Sequence, residues 1–311
     1  MTIGPSVSPE GNVRGGHSFP AGAGAPGRQH PYTRAVATQE IVQSFSYVSW
    51  ALLVGLGLGS FGLAWLLRQV TDVTTGFVGT TALCAGILAA LGWGTDTGLP
   101  APDQLKGIVA APALDGPRQI ALGLFVLLCF WVGLRTLRGG TARWSGALAV
   151  VCGVAALFIG AIGWAGGTLE GLPLFVQLLS LSIVSGGSLA AVILAHWYLV
   201  TPRISEQPLV LTTRLLTVAI SLQLLLFLVW LAVGYPSGAP FAALTGPQAL
   251  FVWLRLLVGI LFPLLLCWMA WKTAQTRSME SATGLLYIEL ALVLASTIVG
   301  AGLAFAVGVL V

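Results

Sequence analysis

The sequence predicts an all-α protein: a polytopic transmembrane helix bundle of about eight spans. Three observations carry that prediction. Of its 311 residues, 57% are hydrophobic and only 8% charged, against roughly a quarter charged in an average soluble domain, so most of the exterior must face lipid. Eight apolar stretches reach the roughly 20 residues that a helix needs to cross a bilayer. Between them stand helix breakers: Gly-Gly-Thr at 139–141, Gly-Gly at 166–167, Thr-Pro-Arg at 201–203 and Tyr-Pro-Ser-Gly at 235–238.

Residues 1–44 come first, rich in Gly, Pro and Ser with Arg14, Arg28 and Arg34 scattered among them. Such a composition cannot bury a core, and a disordered tail is expected there. It lacks the basic stretch followed at once by an apolar run that marks a cleavable signal peptide, so the first span should itself act as the insertion signal. The expected spans are 45–67, 74–94, 118–138, 144–166, 173–200, 208–235, 249–273 and 282–310. In the first, Gly55 and Gly59 have the small-xxx-small spacing that lets a neighbouring backbone approach closely. Cys84, Cys129, Cys152 and Cys267 all fall inside apolar runs without CxxC spacing and read as small core residues.

Lys and Arg set the orientation. Arg68, then Arg135, Arg138 and Arg143, then Arg203, then Lys272 with Arg277 follow the odd-numbered spans, while Lys106 and Arg118 lie on the other side. The positive-inside bias places the odd-numbered loops in the cytoplasm and both termini outside, in a bacterial cytoplasmic membrane. Arg28 and Arg34 in the tail pull against this assignment. The net charge of +4 is a topology signal rather than a nucleic-acid footprint.

A parallel internal repeat is also expected. Arg118, Phe125, Trp131, Arg135 and Thr136 fall on Arg255, Phe262, Trp268, Lys272 and Thr273, each 137 positions later (255 − 118 = 137). The same offset carries Gly163 onto Gly300. A pattern recurring after four spans keeps its orientation, giving two four-helix units, 45–172 and 173–311, related by an axis along the membrane normal.

Ionisable residues inside spans are costly and mark candidate sites. His196, Arg214 and Glu289 sit at similar depth near the expected cytoplasmic side, with Tyr198 and Tyr287 nearby. Together they could form a proton-exchanging or headgroup-binding site. The competing reading is a structural Arg214–Glu289 pair with His196 at the interface beside Trp197. On the outer side, Arg255 needs a partner, which Asp96 or Glu170 could supply. Gln223, mid-membrane, is expected to hydrogen-bond a neighbouring helix.

Missing motifs narrow the function. Besides His196 the histidines are His17 and His30, both in the tail, and no C-x-x-C-H occurs. A bis-histidine haem within the chain and a covalently bound cofactor are therefore not expected. No metal site is expected, and Walker, zincin and nucleophile-elbow motifs are absent. The leading expectation is an integral membrane subunit of an electron-transfer or energy-conserving complex. It would anchor other membrane or redox subunits in the lipid bilayer and contact quinone or protons beside His196, Arg214 and Glu289. The alternative is a proton-coupled small-molecule permease, whose spans should be broken at mid-depth, with Pro263 the one proline well inside a span. A third reading is a structural or assembly protein without a site.

Overall fold

A computed structural model describes residues 31–100, 105, 107–109, 111–201 and 205–311, with side chains from Ser44 onward. Among these residues eight helices are long and apolar enough to cross a membrane. They are α1 (Pro31–Val70), α2 (Thr75–Thr97), α3 (Asp115–Leu137), α4 (Arg143–Ala165), α5 (Thr168–Val200), α6 (Gln207–Val233), α7 (Ala249–Gln275) and α8 (Met279–Val307). The chain is thus an integral membrane protein built as an eight-helix bundle.

Most of the predicted tail lies outside the described residues, as do Lys106 and Arg203. From Pro31, however, the backbone is already helical and continuous with the first span. The good helix formers Ala35, Ala37, Gln39 and Glu40 suit helix ahead of the apolar run. Elsewhere the ends follow local chemistry. Thr74 caps α2 by accepting from the Phe77 N–H, and α6 and α8 stop at Gly234 and Gly308, both at positive φ. The fifth helix starts at Thr168, five residues before the expected boundary, and carries Pro173 within it.

Each half of the sequence closes a ring of four successively touching helices, α1 to α4 and α5 to α8. The rings meet chiefly where α1 crosses α5, with further contacts between α4 and α5 and between α1 and α8. At that crossing Gly55 and Gly59 face Ser182 and Gly186. A methyl group on Gly59 would strike the Ser182 carbonyl oxygen, and one on Gly186 would strike the Ser60 backbone nitrogen. Apolar packing on lipid-exposed faces gains little between helices in a bilayer, so close backbone contact of this kind is what dispersion can use.

The seventh helix is regular except for a π turn over Leu257–Leu261, immediately before Pro263. Pro263 has no N–H for the carbonyl of Gly259, and its ring would press against that carbonyl. The wider turn gives the ring room. Gly259 in this turn abuts Ser296 of α8 so closely that a side chain would collide.

Replacing Gly59 by Ala should lower the melting temperature of the detergent-solubilised protein, at a cost of about 1–3 kcal/mol for overpacking. Gly62→Ala, on the same helix with no atom within 4 Å of the added methyl, should be neutral or stabilising. Equal melting of the two variants would contradict the α1–α5 crossing.

Candidate functional site

Glu289 lies on α8, about 15 Å along the helix from Met279 at 1.5 Å per residue. It is 0% exposed and points into the second ring. Its Oε1 is 2.7 Å from the Ser188 hydroxyl of α5, while its Oε2 has no hydrogen-bond partner. Among the described residues no cation is paired with it.

Ser188 gives this carboxyl an unusual neighbour. The hydroxyl is 2.7 Å from Glu289 Oε1 and also 2.7 Å from the Val184 carbonyl oxygen one turn earlier. A hydroxyl has one proton to donate and lone pairs with which to accept. When the carboxylate is ionised, Ser188 donates to Oε1. When a proton sits on Oε1, the carboxyl donates to Ser188 Oγ and the hydroxyl turns its own proton to Val184. Both protonation states therefore have a hydrogen-bonded arrangement on the same heavy-atom positions.

The other residues expected to join Glu289 do not converge on it. Arg214 is exposed, on the face of α6 that also exposes Val218, Leu222 and Leu225. The Arg214–Glu289 pair therefore does not form; an arginine two turns inside a span on its lipid face can extend its guanidinium to the interface. His196 is exposed near the end of α5, and Tyr287 is 49% exposed on the outer face of α8. Tyr198 is buried, but its hydroxyl donates to the Ser205 carbonyl and ties down the connection to α6. Gln223 is buried and makes no side-chain hydrogen bond to a neighbouring helix among the described residues.

Two buried arginines dominate the opposite end. Arg118, at the start of α3, grips Asp96 of α2 with two nitrogens, Nε to Oδ2 at 2.8 Å and Nη2 to Oδ1 at 3.1 Å. Its Nη1 reaches Asp115 Oδ1 at 2.8 Å. The Trp50 indole of α1 donates to Asp96 Oδ2 at 2.6 Å, and the guanidinium lies over the Trp164 ring of α4, 5.0 Å from its centroid. All four helices of the first ring are thus tied to one charge pair whose hydrogen-bonding capacity is largely satisfied.

Arg255 of α7 is 1% exposed and has no Asp or Glu partner among the described residues. The expected pairing of Arg255 with Asp96 or Glu170 is not made: Asp96 belongs to Arg118, and Glu170 is exposed at the start of α5. Arg255 instead donates from Nε to the Val311 main-chain oxygen at 2.6 Å and from Nη1 to the Ser296 carbonyl at 2.7 Å. Gln177 of α5 donates to the same Val311 oxygen at 2.8 Å. Gly300 leaves the space that the guanidinium fills.

Sequence reasoning thus found Glu289 and Arg255 but missed their partners Ser188 and Ser296, and it missed Trp50 and the Arg118–Asp96 bond. The available signal was the alignment of Arg118 with Arg255. No protein-family model matches the chain, and no curated protein matches it.

Asp96→Ala should strand Arg118 and the Trp50 indole, at a cost of about 3–5 kcal/mol read as a large drop in melting temperature in detergent. Glu170→Ala should melt as the wild type does. The reverse order would mean that Arg118 is not held by Asp96.

Proposed function

We propose that this chain is a proton-handling integral membrane subunit of an energy-conserving complex, with Glu289 as the group that takes up and releases the proton. The observation that carries this reading is the Glu289–Ser188 pair. An uncompensated ionisable group inside a bilayer is a functional candidate by default. Here the neighbouring hydroxyl can serve either protonation state without a change in packing. The arginines at the opposite end have partners that account for them as structural ties; Glu289 Oε2 has none.

In this reading the first ring, pinned by Arg118, anchors the assembly, and the second ring holds the proton site. The two rings descend from one duplicated four-helix unit in parallel orientation. That descent is supported by the aligned, buried Arg118 and Arg255, each on the third helix of its ring. The positive-inside bias would turn the arginine-rich end, with Glu289 closer to it, toward the bacterial cytoplasm. Redox subunits and a quinone would be partners of such a protein, met at its surface.

One observation favours the second reading, a proton-coupled permease. The seventh helix, which carries Pro263 well inside its span, departs from α-helical geometry there, in the π turn beside that proline. π turns inside helices recur at functional sites.

The test is infrared difference spectroscopy of the reconstituted protein across a series of pH steps. A carboxyl C=O band should appear and vanish in the wild type and be lost in Glu289→Gln, while Arg214→Gln and His196→Gln retain it. An identical carboxyl signal in wild type and Glu289→Gln would overturn the assignment. Purification in mild detergent then separates the two readings: co-purifying redox chains support the subunit, and proton-coupled flux by the protein alone supports the permease.

A further inference from the structure

At the arginine-rich end of the first ring, a cavity of about 710 Å³ opens between the last turns of α1 and α3 and the first turn of α4. Three arginines from these three helices line it: Arg68, Arg135 and Arg143. None is in an ion pair among the described residues. Arg68 donates one bond to the Val73 carbonyl at 3.0 Å and Arg135 one bond from Nε to the Thr141 carbonyl at 2.8 Å. Those main-chain acceptors fix the direction of each side chain and leave its charge unneutralised. Arg135 also lies over the Trp131 ring, 5.9 Å from its centroid. The Arg143 guanidinium makes no bond to a described residue, while its carbonyl accepts the Trp65 indole N–H at 3.2 Å.

Thr136 distinguishes this cavity from an ordinary basic rim. It is only 4% exposed, it lines the cavity, and its hydroxyl makes no hydrogen bond to a described residue. Thr212, Thr213, Thr217 and Thr273, by contrast, all donate to a carbonyl four residues earlier in their own helices. The Thr136 hydroxyl is therefore free to bond a group held in the cavity. The first turn of α4 adds a further feature. Ala142 offers no side-chain cap, and Arg143, Trp144 and Ser145, whose backbone N–H groups are free at a helix start, line the cavity.

We infer that this cavity binds a phosphate group, held by Arg68, Arg135 and Arg143 and bonded by the Thr136 hydroxyl. Guanidinium groups match phosphate oxygens in geometry and charge, and basic pockets between membrane helices at the positive side suit anionic headgroups. Val78 and Val132 line the same cavity and suit the first methylenes of a lipid. The phosphate could reach it on a lipid headgroup or as a free ion, and the chemistry of recognition is shared.

The experiment uses the full chain in phosphatidylcholine nanodiscs containing phosphatidylglycerol, with retained lipids counted by native mass spectrometry. The wild type should retain phosphatidylglycerol over phosphatidylcholine. Retention should fall about fivefold for each arginine removed in Arg143→Gln and in the Arg135→Gln/Arg143→Gln double variant. Thr136→Val should also weaken it several-fold. Arg138→Gln removes the same charge from the same connection but outside the cavity, and should leave retention unchanged. Arg143→Gln is the clean variant, because that side chain makes no bond whose loss could unfold the protein. A second arm adds inorganic phosphate at millimolar concentration: displacement of phosphatidylglycerol identifies the free ion as occupant, and persistence identifies the lipid. Equal retention of both lipids by the wild type, together with no phosphate binding, would overturn the inference. So would equal losses in Arg143→Gln and Arg138→Gln.

Discussion

The rest of the structure depends on the contact between the backbones of α1 and α5. In lipid the gain from burying one apolar helix against another is small, so association must come from dispersion at short range, interhelical hydrogen bonds and shape. Gly59 and Gly186 lack the side chains that would hold the two axes apart, and Ser182 carries only a small one. The consequence is that α1 and α5 become the interior helices of the bundle, and each carries the inner polar residues of its own ring. Trp50 of α1 reaches Asp96, and Gln177 of α5 reaches Val311. The polar ties therefore hang from the crossing.

The two rings solve the same problem differently. A buried guanidinium has five N–H donors and a full charge, and both need partners. Arg118 meets two carboxylates, an aromatic face and a short network. Arg255, at the aligned position, meets main-chain oxygens, a hydroxyl and a glycine that yields space. The second ring thus holds its arginine without an Asp or Glu partner among the described residues. It is also the ring that holds Glu289 and the π turn. The buried Glu289 carboxyl and the irregular turn therefore share one half of the molecule, while the Arg118–Asp96 network pins the other.

Which parts of this were legible in the sequence follows from what a helix encodes locally. Hydropathy and breaker residues determine where a span lies and how long it is, so the eight spans could be read from runs and turns. Depth along a span is legible too, and Arg214, His196 and Glu289 do lie toward one end. Azimuth is not, because each residue turns the direction by about 100° and the buried face depends on which helix lies opposite. Thr213 is buried while Arg214, the next residue, is exposed, and no property of either side chain forecasts that difference without the positions of α5 and α7. Similarly, Ser188 reads as one more small residue in a Ser-Gly-Gly-Ser stretch until α8 is placed against it. Asp96 reads as interfacial until Trp50 and Arg118 close over it.

That same crossing constrains the proton handling proposed for Glu289. Ser188 follows Gly186 and Gly187 directly on α5, in the segment whose backbone is pressed against α1. A proton site built on large helix motion would have to break the tightest packing in the molecule each time the carboxyl changed state. A hydroxyl that reverses between donor and acceptor requires only rotation about one bond, and its two acceptors already lie at equal distances of 2.7 Å. The packing that holds the bundle together thus selects the kind of chemistry that its buried carboxyl can perform: a change of hydrogen position on a fixed frame, with any larger movement left to the π turn of α7, where the helix is already irregular.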